Sequence, residues 1–323
     1  MGGPRSEIFH WIEQGRLRHG GLAEALQLTG VTPGARDWKR FFDQLTLWLG
    51  TVFCAAAVIF FFAYNWQAMG RYAKFGLVEM LIVTSLVFCW RLDLEKLAGK
   101  AVLLMATLLT GALLALVGQT YQTGADTYEL FAVWALAVLP WIVVGRFGVL
   151  WLVWLALLNL ATIFYFQTFG GFFGWIFSTE RKLWTLFALN TAALLVWEGA
   201  AQMGLAWLRE RWSVRVVATA SGGLITTLMI WAVLDHHGSG RLYAVLAYCV
   251  WMAVAYVYYR HRLADVFVLA GGVLSAIMVM TVILVRIMDR MEAGAFLLIG
   301  MLIIGMSAAG GLWLKNVANE ERT

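Results

Sequence analysis

The sequence predicts an all-α, polytopic membrane helix bundle with about ten transmembrane helices. Hydrophobic residues make up 62% of the chain and charged residues 13%, whereas a soluble domain is about a quarter charged. The apolar residues fall in continuous runs and do not alternate with polar ones, which favours helices over a membrane β-barrel. The mean hydropathy of +0.76 also indicates a chain whose main solvent is lipid.

Ten apolar runs have the length that a membrane-spanning helix requires. We place them near residues 46–66, 73–90, 100–118, 129–145, 147–166, 182–200, 215–234, 242–259, 265–285 and 293–314. The chain is thereby divided into a helical N-terminal segment (1–45), a transmembrane bundle (46–314) and a cytoplasmic tail (315–323). Similar spacing in the third to fifth and the seventh to ninth runs would be a parallel repeat, whereas a five-plus-five division would be inverted. Residue identity does not decide between the two.

The distribution of Lys and Arg predicts the orientation of the bundle, because cytoplasmic loops carry an excess of both. Seventeen of the 24 basic residues fall on the side of the N-terminus and seven on the opposite side. Both termini are therefore expected in the cytoplasm. No secretory signal is expected, since no apolar stretch follows the first basic residue.

Cysteine, histidine and motif patterns argue against several kinds of site. The three cysteines lie inside apolar runs, and an odd number there argues against a disulfide framework. The five histidines are scattered and match no metal-ligand spacing. Phosphate-binding glycine loops, a zinc-protease motif and a nucleophile elbow are absent from the sequence. We therefore expect neither cofactor nor metal and no nucleic-acid partner, and an enzyme is the least favoured class.

Three segments outside the apolar runs carry specific predictions. Thr32-Pro33 has the pattern of a helix N-cap followed by proline at the first helical position. The Gly- and Phe-rich segment Gln167–Ser178 suits an interfacial or re-entrant segment. Gln202–Ser213 places Leu and Trp residues among charged ones, which is typical of an amphipathic helix in the membrane interface.

A polar island at residues 119–129, QTYQTGADTYE, separates the third and fourth apolar runs. Its amide, hydroxyl and phenol groups can both donate and accept hydrogen bonds. Gly124 supplies the backbone freedom for a tight turn. The charge distribution places the island on the outer membrane face, together with the end of the first run.

We predict one hydrogen-bonded cluster on that face, the outer-face site, in which Arg71 pairs with Asp126. Its chemistry suits a glycan, a lipid headgroup or a partner protein. The alternative is that these groups only cap helix ends and pack on each other. The residues assigned to the outer-face site are Asn65, Trp66, Arg71, Gln119, Tyr121, Gln122, Asp126, Tyr128 and Trp134.

Glu79 is the clearest ionisable residue inside a predicted span, where such residues are functional candidates. It is interpreted either as a carboxylate that fixes helix packing or as a proton or cation site. Its candidate partners are Arg71, Asn159, Asn190 and Arg286. In the fourth run, Pro140 is expected to kink the helix, because it cannot donate to the carbonyl of Leu136.

Residues Gly111–Trp141, GALLALVGQTYQTGADTYELFAVWALAVLPW, resemble the signature of a bacterial inner-membrane family, domain-of-unknown-function family 2157. Its members carry a GQ-x-YQTGAD turn and an LF-x-x-WAL-x-x-LPW helix, and Tyr64-Asn65-Trp66 is similar to their NW motif. The N-terminal segment departs from the family's Gly-Ile-Ser-type helix start. The matching positions here are Asn65, Trp66, Gln119, Tyr121, Gln122, Gly124, Asp126, Phe131, Trp134 and Pro140.

The resemblance implies a multi-pass protein of the bacterial inner membrane and no particular activity. Related genes often encode a second multi-pass protein and a membrane-anchored GDYxxLxY protein, which implies a membrane complex. We therefore expect a component of a cell-envelope complex with a periplasm-facing polar site for a partner protein, lipid headgroup or glycan. The alternative is a proton- or ion-coupled small-solute transporter that uses Glu79. Membrane lipid and other membrane proteins are the expected partners.

Overall fold

The computed structural model describes residues 8, 10–12, 14–16, 21–29, 32–64, 69–170, 178–208, 210–235, 240–288 and 293–320. Helices account for 88% of the structure, and the described ranges contain no strand. Within these ranges, ten helices have the length and hydropathy needed to cross a membrane. The predicted fold class is therefore confirmed, while the orientation of the termini stays a prediction.

The helices are numbered in chain order, beginning with a short α1, Leu22–Leu28. The membrane-length helices are α2 Ala35–Tyr64, α3 Arg71–Arg91, α4 Leu97–Tyr121, α5 Thr127–Gly145, α6 Gly148–Phe169, α7 Thr179–Gln202, α8 Arg211–Leu234, α9 Arg241–Val257, α10 Val266–Ile287 and α11 Ala293–Glu320. A 3₁₀ turn, Ala206–Leu208, joins α7 to α8, and α9 continues into a π-helical turn, Tyr258–Arg262.

Side-chain caps mark the starts of two helices. The Ser178 hydroxyl accepts a hydrogen bond of 3.2 Å from the backbone N–H of Arg181 at the start of α7. Asp265 accepts one of the same length from the N–H of Phe267 at the start of α10. Each cap satisfies a first-turn donor that has no partner within the helix.

The start of α2 differs from the prediction. The helix begins at Ala35 and not at Pro33. Asp37 accepts the backbone N–H of Gly34 at 2.9 Å, so a first-turn acid satisfies the donor that precedes the helix, as in one half of a capping box.

The predicted amphipathic helix over Gln202–Ser213 is wrong. Gly204 has a φ of +98°, a left-handed conformation that ends α7, and only the 3₁₀ turn follows before α8. Leu208 is 5% exposed, and the Trp207 ring centre lies 5.8 Å from that of Trp151. Leu208 and Trp207 therefore pack on the protein, whereas Leu205 and Trp212 are exposed.

The other segment predictions have different outcomes. Of the interfacial segment predicted over Gln167–Ser178, the first three residues belong to α6, and residues 171–177 lie outside the described part of the chain. α5 continues through Pro140, which is exposed on the protein surface. The predicted kink and the division of the chain at residues 45 and 314 stay predictions.

The chain divides into two compact units, residues 1–123 with 319–323 and residues 124–318. In the first unit, α4 packs against both α2 and α3. In the second, α5 pairs with α6, and α8 is central because it packs against α6, α7, α9 and α10.

Hydroxyl groups join the helices of the second unit at the depth of the membrane. Ser221 of α8 lies 2.7 Å from the hydroxyl of Thr191 in α7. Ser275 of α10 contacts the hydroxyls of Thr226 in α8 at 2.6 Å and Tyr248 in α9 at 2.9 Å. Such bonds between helices add to packing where no hydrophobic force drives helices together.

Candidate functional site

Of the three residues of the outer-face site that precede α4, the structure describes one, Arg71. Asn65 and Trp66 lie outside the described residues. Arg71 is exposed at the start of α3. Its guanidinium lies 5.0 Å from the ring centre of Tyr72 and donates to the Tyr72 hydroxyl at 3.3 Å. The pairing of Arg71 with Asp126 stays a prediction.

The polar island forms the connection between α4 and α5. Gln119, in the last turn of α4, is exposed, and so is Gln122, which ends the helix in the left-handed conformation at φ +45°. Gly124 follows at φ +66°, a conformation that favours glycine, and the tight turn predicted there stays a prediction. Asp126 is exposed and precedes α5 without a side-chain cap. The amide of Gln122 and the carboxylate of Asp126 are both exposed.

Three aromatic residues of the outer-face site pack on neighbouring helices. The Tyr121 ring lies 5.8 Å from that of Phe75 in α3. The Tyr128 ring packs edge-on against Tyr165 of α6 at 5.2 Å. Trp134 stacks at 6.1 Å on Phe131, which in turn stacks on α6. These ring contacts contribute to packing, and the exposed polar residues of the outer-face site after α3 are Gln119, Tyr121, Gln122 and Asp126.

Glu79 lies on the exposed face of α3. The opposite face of the helix is buried at Lys74, Val78, Ile82 and Cys89. Two of the predicted partners of Glu79, Asn159 of α6 and Asn190 of α7, instead exchange two hydrogen bonds with each other, of 2.6 and 3.3 Å. Glu79 is therefore not buried within its own unit, where α3 packs against α4, and its role stays a prediction.

Sequence reasoning missed a network of charged residues, the ion network, formed by Glu198, Arg211, Arg215 and Asp265 with Gln202, Tyr258 and Tyr259. Arg211 Nη1 lies 3.0 Å from Glu198 Oε1, and its Nη2 lies 3.0 Å from Asp265 Oδ2. Arg215 Nε lies 3.1 Å from Asp265 Oδ1. The network ties together the end of α7, the start of α8, the turn after α9 and the start of α10, which all lie at one membrane face.

Two tyrosines complete the ion network around Glu198. The Tyr259 hydroxyl donates to Glu198 Oε1 at 3.0 Å, and the Tyr258 hydroxyl donates to Oε2 at 3.2 Å. Gln202 Nε2 donates in turn to the Tyr258 hydroxyl at 2.5 Å. These bonds use the lone pairs of Glu198 that Arg211 leaves free.

The carboxylates of the ion network are buried and charge-balanced, whereas the Arg211 and Arg215 side chains are 30% and 42% exposed. Two carboxylates face two guanidiniums, and the side chains of Glu198 and Asp265 are only 8% and 1% exposed. Every carboxylate oxygen accepts a hydrogen bond, counting the Phe267 N–H on Asp265. In the described part of the chain no three His, Cys, Asp or Glu side chains are grouped so as to hold a metal ion. The network therefore fastens four helix ends.

One feature of the sequence could have led us to predict part of the ion network. Glu198 is an acid inside a membrane-length helix, and this is the argument that singled out Glu79. Arg211 and Arg215 entered only the orientation count. Asp265 follows three residues after Arg262 and has the appearance of an ordinary loop acid.

Residues 9–151 match the model of the family described as Predicted membrane protein (DUF2157). The match includes the polar island and all of α3, and it confirms the resemblance seen in the sequence. The ion network lies after the matched residues. No curated protein and no solved structure matches the chain.

Proposed function

We propose that this multi-pass membrane protein is a subunit of a membrane complex in which a partner's transmembrane helix covers the exposed face of α3. The observation that carries the proposal is the position of Glu79. It projects from a membrane-length helix beside Met80 and Val83, which are 68% and 58% exposed. A carboxylate facing lipid at this depth is costly, and such groups pair with other polar groups inside membranes.

The rest of the α3 face has the form of a helix-packing surface. Exposed residues recur every three or four positions, at Tyr72, Gly76, Glu79, Val83 and Val87. A Cβ atom placed on Gly76 would meet nothing within 4 Å, so a neighbouring backbone can approach closely there. A partner helix of matching chemistry would bring a basic or amide side chain to the depth of Glu79.

The exposure of Glu79 also favours a complex over a transporter. A carboxylate that couples transport to protons would line an interior cavity or water path. Glu79 instead faces away from α4, the helix against which α3 packs. The transporter alternative therefore lacks the geometric support that the complex has.

The polar island supplies a second contact at the helix ends. Gln119, Gln122 and Asp126 are exposed there, and Gln122 ends α4 in the left-handed conformation. We place the protein in a bacterial inner membrane with the island in the periplasm, on the charge distribution and the family resemblance. The island would then contact the outer part of the partner, a lipid headgroup or a glycan.

Site-specific photocrosslinking in native membranes tests this proposal. A crosslinking residue at Val83 should give an adduct with a different membrane protein. Val254 of α9, 56% exposed, is the matched control and should give none. Equal yields of adduct at Val83 and Val254 would contradict the proposal of a specific partner. So would a result in which the only adduct at Val83 is with a second copy of the chain. Glu79-dependent proton flux by the purified single chain in liposomes would establish the transporter instead.

A further inference from the structure

The second unit contains a lateral groove between α9, α10 and α11. Its volume is about 270 Å³, and its lining is almost entirely apolar. The Trp251 indole N–H donates to Ser221 of α8 at 3.0 Å, so the tryptophan offers carbon atoms to the groove. The main lining residues are Trp251, Met252, Tyr256, Gly272, Ala276 and Trp313. An apolar space of this kind does not hold ordered water, because water there would find too few hydrogen-bond partners.

The depth of the groove matches one leaflet of a membrane. Its lining on α10 extends from Val268, in the first turn, to Ala276. At 1.5 Å per residue these positions are about 12 Å apart along the helix axis. Half of a bilayer's hydrocarbon core is about 15 Å thick. The groove therefore begins near one membrane surface and ends near the midplane.

Helices α10 and α11 are in direct contact beside the groove. A Cβ atom built on Gly310 of α11 would lie 2.5 Å from Val273 Cγ1 of α10, a residue that lines the groove. The backbone of α11 thus lies directly against the α10 side chain. A volume of about 270 Å³ suits an extended hydrocarbon chain, whereas a helix with its side chains is about 10 Å wide.

A histidine and an arginine follow the groove lining at its surface end. The Tyr256 ring stacks on Trp313 at 6.0 Å, and the His261 ring packs edge-on against Tyr256 at the same distance. Arg262, the next residue after His261, is exposed. Positive charge at this end complements an anionic headgroup.

The acid nearest in sequence to this end does not neutralise that charge. Asp265 is held by Arg211 and Arg215 of the ion network. We propose that the lateral groove binds one acyl chain of an anionic phospholipid, whose phosphate lies against His261 and Arg262. This site is independent of the proposed α3 partner, because it belongs to the other unit and uses different chemistry.

Native mass spectrometry of the delipidated full-length protein tests the groove, with phosphatidylglycerol and phosphatidylcholine as probes. Gly272→Leu, which fills the groove, should abolish retention of both lipids. Gly271→Leu is the matched control, because this neighbour is exposed with nothing within 4 Å of a built Cβ. It should bind both lipids as the unmodified protein does. Identical binding by the two variants would overturn the proposal.

Arg262→Gln tests the headgroup contact without filling the groove. It should weaken phosphatidylglycerol binding about fivefold, the effect of one basic group near an anionic surface, and leave phosphatidylcholine binding unchanged. Equal affinity for the two lipids, unaltered by this variant, would refute the anionic preference even if Gly272→Leu failed to fold. A photocrosslinker at Met252 in native membranes should label lipid. An adduct with a protein there would contradict the proposal, because the groove would then hold a polypeptide.

Discussion

Glu79 and Glu198 are both carboxylates within membrane-length helices, yet they lie in opposite surroundings. Glu198 accepts hydrogen bonds from one arginine and two tyrosines and is almost fully buried. Glu79 is exposed on α3 beside apolar side chains. The comparison teaches that an acid in a membrane helix does not by itself mark a functional group. A carboxylate whose hydrogen bonds are made within its own chain holds helices together, whereas one that faces outward can be paired only by another molecule.

The largest expected effect on stability comes from replacing each of the two carboxylates by the same amide. Glu198→Gln should destabilise the isolated protein by about 2–3 kcal/mol, because Arg211 and two tyrosine hydroxyls lose an anionic acceptor. The loss is smaller than for a fully buried pair, since the Arg211 side chain is 30% exposed. Glu79→Gln should change stability by no more than about 0.5 kcal/mol. Denaturation in detergent micelles, followed by circular dichroism, measures both.

Equal losses of unfolding free energy in Glu198→Gln and Glu79→Gln would show that the two carboxylates do not differ in how they stabilise the protein. A loss below about 0.5 kcal/mol for Glu198→Gln, the range of an ordinary surface substitution, would show that the ion network does not fasten the helix ends.

The paired amides of Asn159 and Asn190 provide an intermediate test of a contact satisfied within the chain. Asn190→Ala should cost about 1–2 kcal/mol, because it leaves the Asn159 amide without its partner between α6 and α7. The double variant with Asn159→Ala should cost less than the sum of the single changes. A double-mutant cycle in the same detergent gives the coupling energy, and strict additivity would mean that the two amides act separately.

The smallest expected effect on stability concerns the polar island. Gln122→Gly should stabilise the protein by up to about 1 kcal/mol, because glycine adopts the left-handed conformation without the steric cost that glutamine bears. Recovery of the partner from native membranes should nevertheless fall, since the exposed amide is lost. Gly124→Ala is the opposing control and should destabilise the same turn by about 1 kcal/mol. A stabilised variant that retains its partner in full would show that the Gln122 amide contributes only to the turn.

Several features were accessible from the sequence because each depends on residues close together in the chain. The ten membrane helices follow from continuous apolar runs, since backbone groups in lipid must find partners within their own segment. The left-handed conformation at Gly124 is one that a glycine between two helices permits. Gln202–Ser213 marks the limit of this reasoning. A short mixture of Leu, Trp and charged residues does not reveal whether its apolar side faces lipid or protein, and here Leu208 and Trp207 face protein.

The sequence by itself determined the solvent and the helices, whereas the tertiary structure decided which polar groups are satisfied. Asp265 and Arg211 are 54 residues apart in the chain, and only the packing of α10 against α8 brings them together at one membrane face. The same packing turns Val78 and Ile82 of α3 inward and Glu79 outward. The physical reason is that the hydropathy of a helix depends on its own residues, but the environment of each side chain depends on the helices packed around it.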